Sequence, residues 1–264
     1  FGEEWDSYNQ SSLTDKETKD LFDRYFNIFP KDFFEKDKIG IDVGCGSGRW
    51  AKHIAPLVKG LHCVDASNQA LNVAKNNLES FNNCTFINAT TDSLSSLDQK
   101  FDFGYSLGVL HHIPNTQKAL FDCTSVLKKG APFLIYLYFA FDNKPFWYRL
   151  CWKLSEPLRF LISRTNFPIR KFITTLIAIL VYFPISRFAS IADKIGFNSR
   201  NIPLSTYKNT TFYTMRTDAL DRFGTRLEQR FTKKEIHSMM IDSGLTNISF
   251  SKEIPFWTAV GYKK

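Results

Sequence analysis

The feature that most constrains this chain is a run of three glycines on alternate positions, Gly44, Gly46 and Gly48, directly behind the apolar stretch Ile39-Gly40-Ile41-Asp42-Val43. The stretch reads as a strand. Behind the glycines, Trp50, Ala51, Ile54 and Ala55 recur at helical spacing, so a strand passes into a helix through a loop with little side-chain bulk. Such a turn aims backbone N–H groups and the positive end of a helix dipole at a ligand. Glycine is wanted there because a β-carbon blocks both the turn and the ligand's close approach.

The spacing separates two ligand classes. A dinucleotide fingerprint runs G-x-G-x-x-G, whereas this loop runs Gly44-x-Gly46-x-Gly48 with Asp42 two positions ahead. That D-x-G-x-G-x-G form resembles the first motif of class I S-adenosylmethionine (SAM) dependent methyltransferases. The resemblance implies SAM as cofactor, with Asp42, Gly44, Cys45, Gly46 and Gly48 around it. A purely structural turn would share the glycines, so the weight falls on their partners further along the chain.

Strand and helix patterns alternate over residues 36–139: strands at 39–43, 60–64, 84–88, 101–107 and 132–139, helices to about 55, across 69–81 and over 116–127. Short connections of this kind predict a parallel sheet covered on both faces, with its ligand at the carboxyl ends of the strands. Asp65 follows Asp42 by 23 positions, close to the spacing at which an acidic residue meets a nucleotide ribose, with Ala66 beside it. Its alternative is a helix N-cap, for which Ser67 is the better candidate. Beyond the third strand, similar proteins set a short polar side chain against the adenine amino group; Asp92 with Ser93 is expected here, with Thr90 in a nearby register and an N-cap role both open.

The fourth strand runs Phe101-Asp102-Phe103-Gly104-Tyr105-Ser106-Leu107-Gly108-Val109-Leu110-His111-His112-Ile113. This is close to the fourth-strand signature of the UbiE-like, or type 11, methyltransferases, and Lys128-Lys129-Gly130 matches their L-K-P-G-G turn with two replacements. The resemblance implies Ser106 and Leu107 beside the cofactor and a histidine beside the transferred methyl group. His112 is preferred as the base for a hydroxyl acceptor, with His111 its neighbour; a helix-start or packing role is the alternative for both. Enzymes that methylate nucleobase or glutamine nitrogens carry a D/N-P-P-Y/F turn at this place, which here reads Ser106-Leu107-Gly108-Val109.

About 90 residues then intervene before the fold resumes. Residues 140–230 carry 15 Lys and Arg against 6 Asp and Glu, while residues 1–139 carry 14 against 17, so the chain's net charge of +8 belongs to this insertion. Its apolar run 172–183, stopped by Pro184, has twelve residues, too few for the roughly 20 that span a bilayer. It reads as a buried or interfacial helix, and the flanking basic residues fit an anionic membrane surface, with core packing as the alternative. The insertion is expected to form a lid on the acceptor side, with Tyr207, Tyr213 and Arg216 as acceptor contacts; surface ion pairs such as Asp218–Arg222 are the plainer reading.

Thr232 and Glu235 open a capped helix, and residues 248–250 with 258–262 read as a closing hairpin. The fold expected is α/β: a Rossmann-like, doubly wound, mostly parallel seven-stranded sheet with a helical insertion between the fifth and sixth strands. The domains expected are a helical leader (1–35), a SAM-binding core (36–139), the insertion (140–230) and a closing segment (231–264). In the leader, Leu21, Phe22, Tyr25, Phe26 and Phe29 predict an amphipathic helix stopping near Pro30, with Trp5 and Tyr8 on the core or over the cofactor mouth.

Five widely spaced cysteines, without a C-x-x-C pair, indicate neither a disulfide framework nor a metal site. With no signal-peptide pattern at the start, a cytoplasmic protein is expected, peripheral at a membrane if the insertion docks there. The chain begins at Phe1 rather than Met, which leaves upstream sequence open. The acceptor expected is small or lipid-like, with O-methylation favoured. Nucleic acid is disfavoured for want of a binding module. Two other classes stay open: a NAD-dependent oxidoreductase, against which the glycine spacing speaks, and a non-catalytic binding protein on the same fold.

Overall fold

The computed structural model describes residues 15–264; Trp5 and Tyr8 lie outside the described residues. The described chain divides into two compact units. One comprises Thr18–Phe139 and Gln229–Lys264; the other comprises residues 15–17 and Ala140–Glu228.

In the first unit, α1 (Asp15–Tyr25), which enters it at Thr18, leads into β1 (Ile39–Val43), α2 (Ala51–Ile54), β2 (Gly60–Asp65), α3 (Asn68–Asn77), β3 (Cys84–Asn88), β4 (Phe103–Leu107), α4 (Thr116–Ser125) and β5 (Pro132–Tyr136). The sheet has seven strands in the order β3-β2-β1-β4-β5-β7-β6. Its first five are parallel, and β7 (Ala259–Lys263) runs antiparallel to both β5 and β6 (Leu245–Phe250). This is the doubly wound α/β fold expected, with its helical insertion between the fifth and sixth strands. The order reverses between β1 and β4, and a crevice forms at the carboxyl ends of strands at such a switch point.

Alternation along the strands divides the core into two layers. Ile41 and Val43 of β1 pack with Phe133 and Ile135 of β5 on one face. Tyr105, Cys63, Leu61 and Leu134 pack on the other, joined by Phe22, Phe26 and Phe29 from the leader and by Trp50. Because side chains one position apart point to opposite faces, Asp42 between Ile41 and Val43 is turned into the second layer.

Several expected boundaries shift. The leader helix ends at Tyr25 rather than near Pro30, and Phe26 to Phe29 continue in turns, with the Phe29 N–H on the Phe26 carbonyl at 3.0 Å. The phenylalanine spacing fits that apolar layer in either geometry. β4 begins at Phe103, since Phe101 makes only an isolated bridge to Leu127.

The second unit is helical: α5 (Phe146–Ile162), α6 (Phe167–Ile177), α7 (Phe183–Lys194) and α8 (Phe212–Gly224) are its long elements. Pro184 does not stop the apolar helix. A π-helical turn, Ala178–Tyr182, joins α6 to α7 in one continuous 28-residue helix, Phe167–Lys194. A widened turn ahead of a proline makes room for its ring and leaves its missing N–H at the start of the next segment, where none is needed.

Back in the first unit, α9 (Lys233–Asp242) opens with the expected capping box. Thr232 accepts the Glu235 N–H, and the Glu235 carboxylate accepts the Thr232 N–H.

Candidate active site

The glycine loop follows β1 without a spacer. Gly44, Gly46 and Gly48 hold φ of 78°, 54° and 76°, the left-handed region that other residues avoid. Space adds to conformation: a β-carbon on Gly44 would fall 2.5 Å from both Cγ atoms of Val109, and one on Gly48 would fall 2.8 Å from Leu78 Cδ1. The Gly44 and Cys45 N–H groups both donate to the Val64 carbonyl, at 2.7 and 3.0 Å. The loop is thus tied to the end of β2, and the Cys45 side chain is buried.

Asp65 completes that tie from its side chain. Its Oδ2 accepts the Gly46 N–H at 3.0 Å and its Oδ1 accepts the Ser67 N–H at 2.9 Å. Burial raises its pKa, opposed by these two hydrogen bonds. The α3 cap belongs to Ser67, which accepts the Ala70 N–H at 3.3 Å. Ala66 is exposed at the same turn.

Asp42 lies opposite Tyr105 in the β1–β4 register. Burial holds its carboxyl well above the usual carboxylate range; the neighbouring Tyr105 hydroxyl opposes that shift, the Asp65 charge adds to it, and Arg49 opposes it. Ser106 is fully buried, and its hydroxyl donates to the Val43 carbonyl at 2.8 Å, tying β4 to β1. Its hydroxyl is therefore occupied by the sheet. Leu107 closes the strand, and Gly108 beyond it turns at a φ of 80° with nothing within 4 Å of an added β-carbon. Open space at the switch point, glycines along one rim and a carboxylate on the next strand fit a nucleoside with a cationic amino-acid tail.

Beyond β3, Asp92 and Ser93 sit exposed in a 3-10 turn. The Thr90 hydroxyl donates to the Asp92 carboxylate, which lowers the Asp92 pKa, and the Ser93 hydroxyl donates to the Thr90 carbonyl at 2.9 Å. Thr90, not Asp92, holds the N-cap position, without a side-chain cap bond.

A 3-10 turn, Leu110–His112, presents the two histidines. The buried His111 ring stacks on Tyr138 with centroids 3.9 Å apart at 25°, and the His112 ring lies 4.0 Å from it. The Arg230 guanidinium covers the Tyr138 ring at 5.2 Å. Gln229 fastens the turn from its backbone N–H to the His111 carbonyl (3.1 Å) and from its side-chain amide to the Ile113 carbonyl (2.8 Å). Tyr136 meets Tyr25 edge-on at 5.1 Å, and Tyr25 lies 4.8 Å from Trp50.

An aromatic wall thus stands beyond the carboxyl ends of β1, β4 and β5. Tyr25, Tyr136, Tyr138, Gln229 and Arg230 were not anticipated in it. The two tyrosines at the end of β5 carried a signal in their alternate spacing; Gln229 and Arg230 carried none, because only the return of the chain after the insertion brings them there.

Of the insertion residues, Tyr207 is buried in the second unit's own core, 5.3 Å from Tyr182, with its hydroxyl donating to Asp218 at 2.6 Å and Arg222 5.6 Å over its ring. Tyr213 and Arg216 are half-buried on α8.

Sheet order, antiparallel closing hairpin and glycine loop define the class: the first unit has the fold of a class I, SAM-dependent methyltransferase. Residues 41–130 match a family described as a methyltransferase domain. The ubiquinone biosynthesis O-methyltransferase of Coxiella burnetii is 30% identical over 112 residues, covering 42% of this chain and 46% of that protein. An uncharacterized methyltransferase of Bacillus subtilis, YcgJ, is 29% identical over 102 residues, 38% and 40% of the two chains. The matched stretches span less than half of either relative. Among solved structures, an O-methyltransferase family protein from Burkholderia thailandensis superposes with a TM-score of 0.56 at 11% identity, covering 98% of this chain and 59% of that one. At that identity the likeness is one of fold.

Proposed function

We propose that this chain transfers a methyl group from SAM to a hydroxyl of a small or lipid-like acceptor, with His112 as general base. The observation that carries the reading is the position of the two histidines beyond β4, in an aromatic wall next to the glycine loop. An aromatic or quinone-precursor acceptor would stack against such a wall, and the name of the Coxiella relative points the same way.

When bound, SAM supplies a methyl carbon activated by a sulfonium and open to in-line displacement. Asp65 would hold its ribose, the Gly44–Gly48 loop, free of side-chain bulk at its glycines, would lie along its amino-acid end, and Asp92 with Ser93 would meet the adenine. Tyr136 and Tyr138 position the acceptor ring, and holding two reactants in line can contribute ~7–11 kcal/mol. His112 takes the acceptor hydroxyl's proton as the oxygen attacks, which typically contributes about 10²–10⁴-fold. His111 supports it through its stacking on Tyr138.

The insertion serves the acceptor side in this reading, since it leaves the chain just beyond the carboxyl end of β5. Tyr213 and Arg216 are its candidate acceptor contacts; Tyr207 is not, its hydroxyl being engaged by Asp218. We place the protein in the cytoplasm, working at a membrane surface when its acceptor is a lipid.

The test is transfer of labelled methyl from SAM into a cell extract, partitioned into organic, aqueous and macromolecular fractions. Label in the organic phase supports a lipid-like acceptor, and label confined to the aqueous phase replaces it with a soluble metabolite. Tight SAM binding with no label in any fraction overturns the enzymatic reading in favour of a binding protein on a methyltransferase fold.

A further inference from the structure

The long helix of the second unit has two unlike faces. Thr174, Ala178, Tyr182, Ser186 and Ala189, three or four positions apart, are buried, and Ala178 and Tyr182 pack against Met215 and Ala219 of α8. On the opposite side Phe172, Leu176, Leu180, Phe188 and Ile191 are exposed, Leu180 at 69% and Phe172 at 64%. In α5, Leu150, Leu154, Leu158 and Leu161 form a second exposed apolar stripe at helical spacing. A soluble monomer seldom leaves a contiguous apolar patch beyond roughly 300–600 Å² uncovered, and two helices presenting large apolar side chains along their lengths point to an occupant.

Charge identifies that occupant. Residues 140–228 carry 14 Lys and Arg against 6 Asp and Glu. Arg149 and Lys153 are exposed beside the α5 stripe, and Lys194 is exposed near the end of the long helix. A second copy of this chain would bring like charge against like. An anionic lipid surface accepts both the cations and the apolar side chains.

Two features set the helix in the plane of that surface rather than across it. By length and composition the 28-residue helix could cross a bilayer, contrary to the twelve-residue run read from the sequence. Yet its stretch free of charged residues, 172–186, has 15 residues, about 22 Å of helix against a hydrocarbon core of about 30 Å. Its other face is small or polar and already covered by the protein, whereas a helix crossing alone presents apolar side chains all round.

We propose that the second unit docks on anionic membrane through the outer face of Phe167–Lys194, lying in the interface with Phe172, Leu180 and Phe188 in the acyl layer and basic side chains at the headgroups. This deepens the acceptor reading above and rests on it, because a lipid-like acceptor is the reason for such docking.

The test is flotation of the full chain with vesicles of phosphatidylcholine mixed with phosphatidylglycerol, and of phosphatidylcholine alone, at low and high salt. Binding to the anionic vesicles is expected, weakened by salt. Moving one large apolar side chain from lipid to water costs on the order of tenfold in affinity, so Leu180→Gln should weaken binding about tenfold and Phe172→Gln with Phe188→Gln further, with unchanged melting temperature. A chain that ignores both vesicles overturns the proposal. So does a dimer in buffer that Leu180→Gln dissociates, which would assign the face to a second copy, and so does resistance to alkaline extraction, which would mean a spanning helix. Methyl transfer to a water-soluble phenol, measured without vesicles, reads the enzymatic proposal separately.

Discussion

The Asp65 carboxylate and the Gly46 backbone are joined by a hydrogen bond of 3.0 Å, although 19 residues separate them. The bond closes the end of β2 onto the glycine loop, so the residue expected to meet a ribose also holds the loop in shape. Replacing it should therefore act twice. Asp65→Ala should weaken SAH binding by at least about tenfold, since hydrogen bonds to a charged group are worth about 1.5–3 kcal/mol. It should also lower stability by about 1 kcal/mol. Calorimetric affinity equal to wild type would remove the ribose assignment.

Asp42 makes folding depend on pH in an unusual direction for a carboxylate. Its folded pKa lies well above the ordinary 3.8 because it is buried. The folded protein therefore keeps a proton that the unfolded chain releases, and stability from this group is full below the ordinary value and lost as pH rises through the folded one. Asp42→Asn removes that dependence. The gap in melting temperature between Asp42→Asn and wild type should widen in favour of the variant across that window; parallel curves would show that Asp42 ionises freely in the folded protein.

Gly44 and Gly108 share a positive φ, 78° and 80°, but not their surroundings. Gly44→Ala meets Val109 at 2.5 Å, whereas Gly108→Ala meets nothing. Backbone strain alone costs about 1–2 kcal/mol at either position. Gly44→Ala should cost at least about 1 kcal/mol beyond Gly108→Ala in chemical denaturation, from the overpacking. Equal losses would mean that Val109 gives way.

The two histidines separate by burial. His112→Ala should lower kcat about 10²–10⁴-fold while leaving SAH affinity and melting temperature near wild type. His111→Ala opens a cavity beside Tyr138 and should cost about 2 kcal/mol or more of stability. If His112→Ala kept full kcat on a hydroxyl acceptor, the base would have to be sought elsewhere.

How much of the molecule was legible in its sequence varies along the chain. Strand, glycine loop and helix at 39–55, the Thr232–Glu235 cap and the alternating strands and helices of the core are written in signals within a few residues. A backbone that must turn at positive φ selects glycine, a helix end with unpaired N–H groups selects a capping pair, and a two-residue period sorts side chains between faces. These are local demands, and a linear string records them.

The rest was decided by groups distant in the chain. Nothing around Tyr207 marks its hydroxyl as engaged by Asp218, since a buried and a solvent-facing tyrosine look alike until their neighbours are known. The stacking of His111 on Tyr138 under Arg230 joins the ends of two strands to the chain's return after the insertion. Pro184 reads as a stop by its own chemistry, yet the helix runs through it because a widened turn absorbs the ring and packing along the buried stripe holds both halves together. Local preference amounts to about a kilocalorie per residue or less for most side chains; burial of large apolar groups is worth more, and it is tertiary structure that says which groups are buried.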